Sequence, residues 1–333
     1  MTETYTVGIT GAAGYIGSRV MANVLSEGHD VVAIDDFSAA KVESVAGQAI
    51  DAADIRDEEA LETHFDDVDI LLHLAAESGV EGCDDDPDRA FDVNVRGTEA
   101  VAWFCRQREI PLVFPCSMAI IGEPTELPIT ADHPRDPVNM YGLTKKMSED
   151  DIHDLARDSF PAHVYMKSNL YGHHEVNGQS VGKRTVINVF VEKALNGETL
   201  TVHEPGTQAR DFIHVKDVAR AYVRSIGKLI EDADAYDGAT TIPIASGEDM
   251  SVLDLASLVQ RVCGEERGYE PDVELVENPR GEEAAGSDFS VNTTQAERTI
   301  RFEADHTVEE TVRGLLSEAE VSTRDTGKSQ RSR

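Results

Sequence analysis

Along the first half of the chain, short apolar runs alternate with stretches whose apolar residues recur every three or four positions. The runs are TYTVGIT, DVVAID, AIDAADI, DILLHLAA and PLVFPCS, with AHVYMKSN following at 162–169. Such runs are too short for helices and are bounded by turn-forming residues, the pattern of buried strands. Between them the helical spacing covers 15–26, 57–64, 87–108 and 141–160. This alternation predicts βαβ units, and hence a parallel sheet with helices on both faces. Beyond residue 170 the pattern loosens into turn-rich segments, with helical spacing near 185–196, 215–229 and 252–263. The expected protein is α/β and in two parts. A doubly wound parallel-sheet domain spans 1–170, and a smaller C-terminal α/β region, mainly for substrate, spans 171–320. The chain is expected to return to the first part around 211–245, and the polar residues 321–333 to form a disordered tail.

Charge adds to this picture. Of 333 residues, 63 are acidic and 30 basic, a formal net charge of −33. The acid is spread over many segments instead of being gathered into a tail. With regular apolar runs beneath it, this predicts a folded core under an acidic shell, as in proteins of a salt-rich cytosol. Nucleic acid and anionic membranes would be repelled, so neither is an expected partner. The cysteines Cys83, Cys105, Cys116 and Cys263 lie far apart with no C-x-x-C spacing, and read as reduced thiols of a cytoplasmic protein. No apolar run is long enough to span a bilayer, and no leader pattern precedes TYTVGIT. His173 and His174 hint at a metal, but adjacent side chains rarely ligate one ion, so no metal site is expected.

Candidate chemistry lies at two places. The first run leads into GAAGYIG, with Gly11, Gly14 and Gly17 ahead of a helical stretch that starts with Tyr15 and Ile16. Glycines at a strand-to-helix junction allow a tight turn and close backbone approach, and the helix start offers free N–H groups to a pyrophosphate. Asp35 ends the second run, where a carboxylate takes both hydroxyls of an adenosine ribose and repels a 2′-phosphate; NAD is therefore expected rather than NADP. Asp54 and Ile55 end the third run, near the adenine position. The second place is NMYGLTKK, which sets Tyr141 and Lys145 one helical turn apart. A phenol ionises near pH 10, so a phenolate at pH 7 needs roughly 4 kcal/mol from neighbouring charge. Taken alone, the pair reads rather as two residues that share a helix face than as a proton-transfer pair.

The order of segments decides between these. The glycines at 11, 14 and 17, Asp35, HLAA at 73–76, DVNVRGT at 92–98, CSMAIIG at 116–122 and YGLTK at 141–145 resemble, in sequence order, the extended short-chain dehydrogenase/reductase family. The likeness is to its NAD-dependent nucleotide-sugar epimerases and dehydratases, with a Rossmann-type sheet. KSNLYG at 167–172, RDFIHVKDVARA at 210–221 and NPRG at 278–281 extend the likeness into the second half. The resemblance implies that Ser117, Tyr141 and Lys145 are catalytic. Tyr141 would accept the proton of a sugar hydroxyl whose carbon gives its hydride to the nicotinamide, Ser117 would bond the same oxygen, and Lys145 would hold the ribose and, with the cationic nicotinamide, depress the phenol pKa. It also implies cofactor contacts at Leu74, Ala75, Ala76 and Asn94, and substrate contacts at Ser78, Asn169, His203, Arg210 and Arg280, the arginines suiting a diphosphate.

Relatives that dehydrate the sugar carry Asp and Glu in the two places after the Ser/Thr, and decarboxylating relatives carry Glu in the second. Here Met118 and Ala119 stand there, so those reactions are not expected. Two functions remain: a nucleotide-sugar epimerase, acting at position 4, or an NAD-dependent dehydrogenase of a sugar without a nucleotide. The resemblance also implies a homodimer paired through helices at 87–108 and 141–160, the first of which carries Phe91, Val95, Val101 and Trp103.

Overall fold

In the computed structural model, which describes residues 3–277 and 288–318, seven strands form one parallel sheet. From one edge to the other they are Ala239–Ile244, Ala162–Lys167, Leu112–Ser117, Ile70–His73, Thr6–Thr10, Asp30–Asp35 and Asp51–Ala52. The order reverses between Thr6–Thr10 and Ile70–His73, which both flank the point where a doubly wound sheet opens a crevice at its carboxyl ends. The sequence runs thus become the central strands, and their all-round apolar character follows from burial on both faces.

One face is covered by the helices Tyr15–Ser26 and Val215–Glu231. Their Val20, Met21, Val24, Val218, Tyr222 and Ile226 form one core with Val7, Ile9 and Ile70. The other face carries Glu58–Phe65, Gly97–Arg108 and Met140–Ala156, with Leu61, Phe65, Phe104 and Ile152 packed on Leu71, Phe114 and Met166. A third core joins Val186–Asn196, Val252–Arg267 and Val308–Glu318 around the strand pair Leu200–His203 and Val273–Val276. The helix at 252 starts on a capping box between Ser251 and Asp254 and stops at Gly268, φ +76°. The strand Ala209–His214 links the halves, pairing with Asn169–Tyr171 and Asp249–Ser251.

Three elements differ from the sequence expectation. The third run adds to the sheet only the exposed two-residue edge Asp51–Ala52; Ala49 pairs instead in a small hairpin, Gln48–Ala49 with Ser44–Val45, and Ala53, Asp54 and Ile55 meet the cavity described below. The helical stretch 87–108 is interrupted by a π-helical turn, Asp92–Arg96, between Pro87–Phe91 and Gly97–Arg108. The helix at 141–160 ends at Ala156, where Asp158 takes φ +56° ahead of Pro161, which cannot continue it. Residues 321–333 lie outside the described residues.

Candidate active site

At the switch point, a cavity of about 410 Å³ opens at the carboxyl ends of the strands. Its floor is the glycine turn. Gly11 has φ +67°, and a Cβ there would stand 2.4 Å from the Ala75 nitrogen; a Cβ on Gly17 would stand 2.0 Å from the Gly11 carbonyl oxygen. Both positions therefore exclude any side chain. The helix Tyr15–Ser26 that follows has no acidic residue in its first turn and no side-chain cap at Gly14, which leaves its positive end to an incoming anion. Gly14, Tyr15 and Ile16 line the cavity.

Asp35 is buried at the end of its strand and accepts the N–H groups of Ala13 at 2.9 Å and Phe37 at 2.8 Å. Burial raises its pKa, and those two bonds oppose the rise. Asp54 and Ile55 line the same end. The Asp54 carboxylate is gripped by Arg56, Nε to Oδ1 at 2.9 Å, and Arg56 holds it below the usual carboxylate range. Leu74, Ala75 and Ala76 form the opposite wall. The Thr10 hydroxyl accepts the N–H groups of Leu74 and Ala75, both at 3.2 Å, and meets His73 Nδ1 at 2.7 Å. Burial pushes His73 down to about 3, so it stays neutral and braces this wall.

The catalytic candidates meet at the far end. Asn139 caps the helix Met140–Ala156 by accepting the Gly142 N–H at 2.8 Å. A Cβ on Gly142 would stand 2.4 Å from the Ala119 carbonyl oxygen, so the helix start lies directly on the turn after Ser117. That contact brings the Tyr141 phenol near the Ser117 hydroxyl, whose influence lowers the phenol pKa. Tyr141 and Lys145 both line the cavity, as the one-turn spacing requires. Burial pushes the phenol up to about 12 and the Lys145 amine down to about 8. The depression expected of Lys145 acting with the cationic nicotinamide belongs to the cofactor-bound state; in the free protein Lys145 is not among the groups that shift the phenol. Its amine lies 4.5 Å above the Phe114 ring and is itself desolvated, and the group that eases the phenol is Ser117.

Asn94, expected at the cofactor, is buried behind the cavity wall and not among the residues that line it. It sits on the π-helical turn, where it accepts the Glu77 N–H at 2.8 Å and donates to Thr144 Oγ1 at 3.1 Å and to the Glu77 carbonyl at 3.0 Å. It thereby ties the cavity wall to the Tyr141 helix, as a positioning residue. Among the substrate candidates, Ser78 lines the cavity, and Ser117 is not a lining residue but neighbours Tyr141, which is. Asn169, His203 and Arg210 do not line it. Asn169 donates to the Asp211 carbonyl at 3.3 Å, His203 is exposed at a strand end, and Arg210 lies over the Phe289 ring at 4.6 Å with Glu123 and Asp288 nearby. Arg280 lies outside the described residues. The sequence reading missed Lys167, Lys183 and Arg184, which line the cavity. The available signal was a lysine at the carboxyl end of a predicted parallel strand, where ligands bind.

The sequence matches the family described as NAD dependent epimerase/dehydratase over residues 7–236. The chain belongs to that family. Among curated relatives, it is 30% identical over 261 residues to a putative UDP-glucose 4-epimerase of Methanocaldococcus jannaschii, covering 77% of this chain and 82% of that protein. Among solved structures, its fold resembles a UDP-N-acetylglucosamine 4-epimerase from Methanobrevibacter ruminantium at TM-score 0.79 and 24% identity, over 95% of this chain and 98% of that one. A UDP-glucose-4-epimerase from Stenotrophomonas maltophila, solved with NAD and a formylated UDP-arabinopyranose, matches at TM-score 0.79 and 24% identity, over 94% and 97%. The family's NAD fits the residues present. The glycine cradle would be filled by any Cβ, the helix start is free of competing acid, and Asp35 ends the second strand.

Proposed function

We propose that the protein is an NAD-dependent nucleotide-sugar epimerase acting at position 4 of the sugar. The observation that carries this is the Tyr141 phenol beside Ser117 and one turn from Lys145, in the cavity that the Gly11 turn and Asp35 also line. Gly11, Gly14 and Gly17 with the following helix start would hold the pyrophosphate of NAD, Asp35 its adenosine ribose and Lys145 its second ribose. NAD bound there supplies a reversible acceptor for the hydrogen of a carbinol carbon.

The chain's own groups handle the proton. Ser117 donates a hydrogen bond to the reacting sugar oxygen, and Tyr141 takes that oxygen's proton and later returns it. Because burial holds the phenol near 12, it is protonated in the free protein and needs positive charge beside it to act as a base. Met118 and Ala119 carry no proton-transferring group, which restricts the chemistry to oxidation and reduction at one carbon. As further parts of this reading, the enzyme works as a homodimer in a salt-rich cytosol.

Incubation with UDP-galactose or UDP-glucose in molar KCl tests the proposal. Each is expected to convert into the other while NADH absorbance stays flat. Steady accumulation of NADH would overturn it in favour of net sugar oxidation. Tyr141→Phe should abolish turnover, by at least about a hundredfold on the scale of general-base loss, while cofactor binding stays near that of the parent. Turnover within tenfold of the parent would remove Tyr141 from the reaction.

A further inference from the structure

Lys167 has no role in the chemistry above. It closes the strand Ala162–Lys167 just as Ser117 closes the neighbouring strand, and the parallel register sets the two side by side. Register partners on adjacent strands present their side chains to the same face. The amine therefore stands beside the Ser117–Tyr141 pair and lines the same cavity.

Lys167 is buried, and among the described residues no carboxylate pairs with its amine. Burial, then the like charge of Lys145, and further off that of Lys183, push it down to about 7. Lys183 is likewise lowered by burial, and its Nζ would lie 3.9 Å from a Cβ on Gly79, next to Ser78.

The acids that line the cavity are engaged elsewhere. Asp35 holds two backbone N–H groups, Asp36 the Ser38 hydroxyl, Asp54 the Arg56 guanidinium, and Glu77 pairs with Arg89 at 2.7 Å. In a chain with 63 acidic and 30 basic residues, the reacting end of the cavity thus presents Lys145, Lys167 and Lys183 without an acid of their own.

An ammonium taken out of water without a partner is costly, and an anion brought by a ligand offsets that cost. The pyrophosphate of the cofactor has its place at the Gly11 turn. The anion that Lys167 can meet, beside the groups that handle the reacting hydroxyl, is one carried by the sugar ring itself. We propose that Lys167 selects a nucleotide sugar whose ring bears a carboxylate, a uronic acid, by pairing its ammonium with that carboxylate. In a hexuronic acid the carboxylate hangs from the carbon next to position 4. The oxygen bound by Ser117 and Tyr141 and the carboxylate bound by Lys167 are then neighbours on one ring edge. The inference rests on the nucleotide-sugar reading above and narrows its substrate.

Calorimetric titration of the NAD-loaded enzyme with UDP, UDP-glucose and UDP-glucuronic acid tests it, for the parent and for Lys167→Met. The parent is expected to bind UDP-glucuronic acid about tenfold or more tighter than UDP-glucose, a difference of about 1.4 kcal/mol. K167M should bring that ratio close to one while UDP and UDP-glucose bind as in the parent. A parent with no preference for the acidic sugar overturns the inference and leaves the epimerase reading standing. K167M weakening all three ligands alike also overturns it, because the amine would then serve the diphosphate. A parent that binds none of the three removes the nucleotide-sugar reading, and this inference with it. The parent's own preference needs no variant, so the test holds even if K167M does not fold.

Discussion

Lys167 also carries a consequence for stability. Its amine is lowered from its ordinary 10.5 to about 7, so the unfolded chain binds that proton more tightly than the folded one. The resulting cost to folding is fully present below about pH 7, shrinks between about 7 and 10.5, and vanishes above the unfolded value. Lys167→Met should therefore stabilise the ligand-free protein at pH 7 by a few kcal/mol, the scale of one unpaired buried ion. The gain should fade as the pH approaches 10. Thermal melts of parent and variant across that range are the check, and a variant less stable than the parent at pH 7 would contradict it. Gain of stability on removal of a ligand-binding residue is the expected trade where a site is held ready for charge. Residues of this kind mark the limit of what sequence shows. Gly11, Gly17 and Asp35 were legible because their geometry is local: a turn, a helix start, a strand end. Tyr141 and Lys145 were legible once their neighbours stood in order. Lys167 was not, since its meaning comes from Ser117, fifty residues earlier and one strand away. Arg210 shows the converse: its type suits a diphosphate, while the neighbours that surround it, Phe289 with Glu123 and Asp288 close by, are not legible from the segment that carries it.

The helices show the same division. A start with a side-chain cap was readable, as at Ser251, whereas the helix expected over 252–263 runs on to Arg267 before Gly268 stops it, and the π-helical turn at Asp92–Arg96 was not anticipated. That turn sits where Asn94 joins Glu77 to Thr144, in keeping with the tendency of such turns to occur at functional sites. On these helices Val95 and Val101 are buried in the protein, but Trp103 is 47% exposed and Leu143 43%, and Val138, just ahead of the Met140 helix, is 75% exposed. Large apolar side chains so exposed on adjacent elements are the surface expected to pair two copies. Trp103→Glu together with Leu143→Glu should convert a dimer into a folded monomer that still binds NAD. Sedimentation in molar KCl decides it: a parent that runs only as a 36.3 kDa species, or a double variant that still dimerises, would refute the pairing.

For the whole molecule, charge is the governing quantity. A net −33 on one chain, and twice that on a dimer, makes self-repulsion a large term against compactness. At 0.01 M salt the Debye length is about 30 Å, so nearly every carboxylate feels the others; at 1 M it is about 3 Å, and only direct neighbours interact. Melting temperature should therefore climb steeply between 0.1 and 3 M KCl, and a flat or falling series would mean that the acidic surface has another purpose. Among the described residues no helix is long and apolar enough to cross a membrane. The sheet has a consequence of its own for a chain still being made. Ala162–Lys167 is buried along its whole length, yet one of its two flanking strands, Ala239–Ile244, follows about seventy residues later, after the entire excursion through 168–238. The helix Val215–Glu231, which roofs the first face beside Tyr15–Ser26, arrives late as well. All the glycine-turn and Tyr141 chemistry has therefore left the ribosome while the sheet still presents an unpaired apolar edge, ready to add a strand from any neighbouring polypeptide. A protein whose first 170 residues spell out its chemistry is thus one that cannot safely stop there, and its synthesis has a vulnerable interval that closes only when residue 244 takes its place.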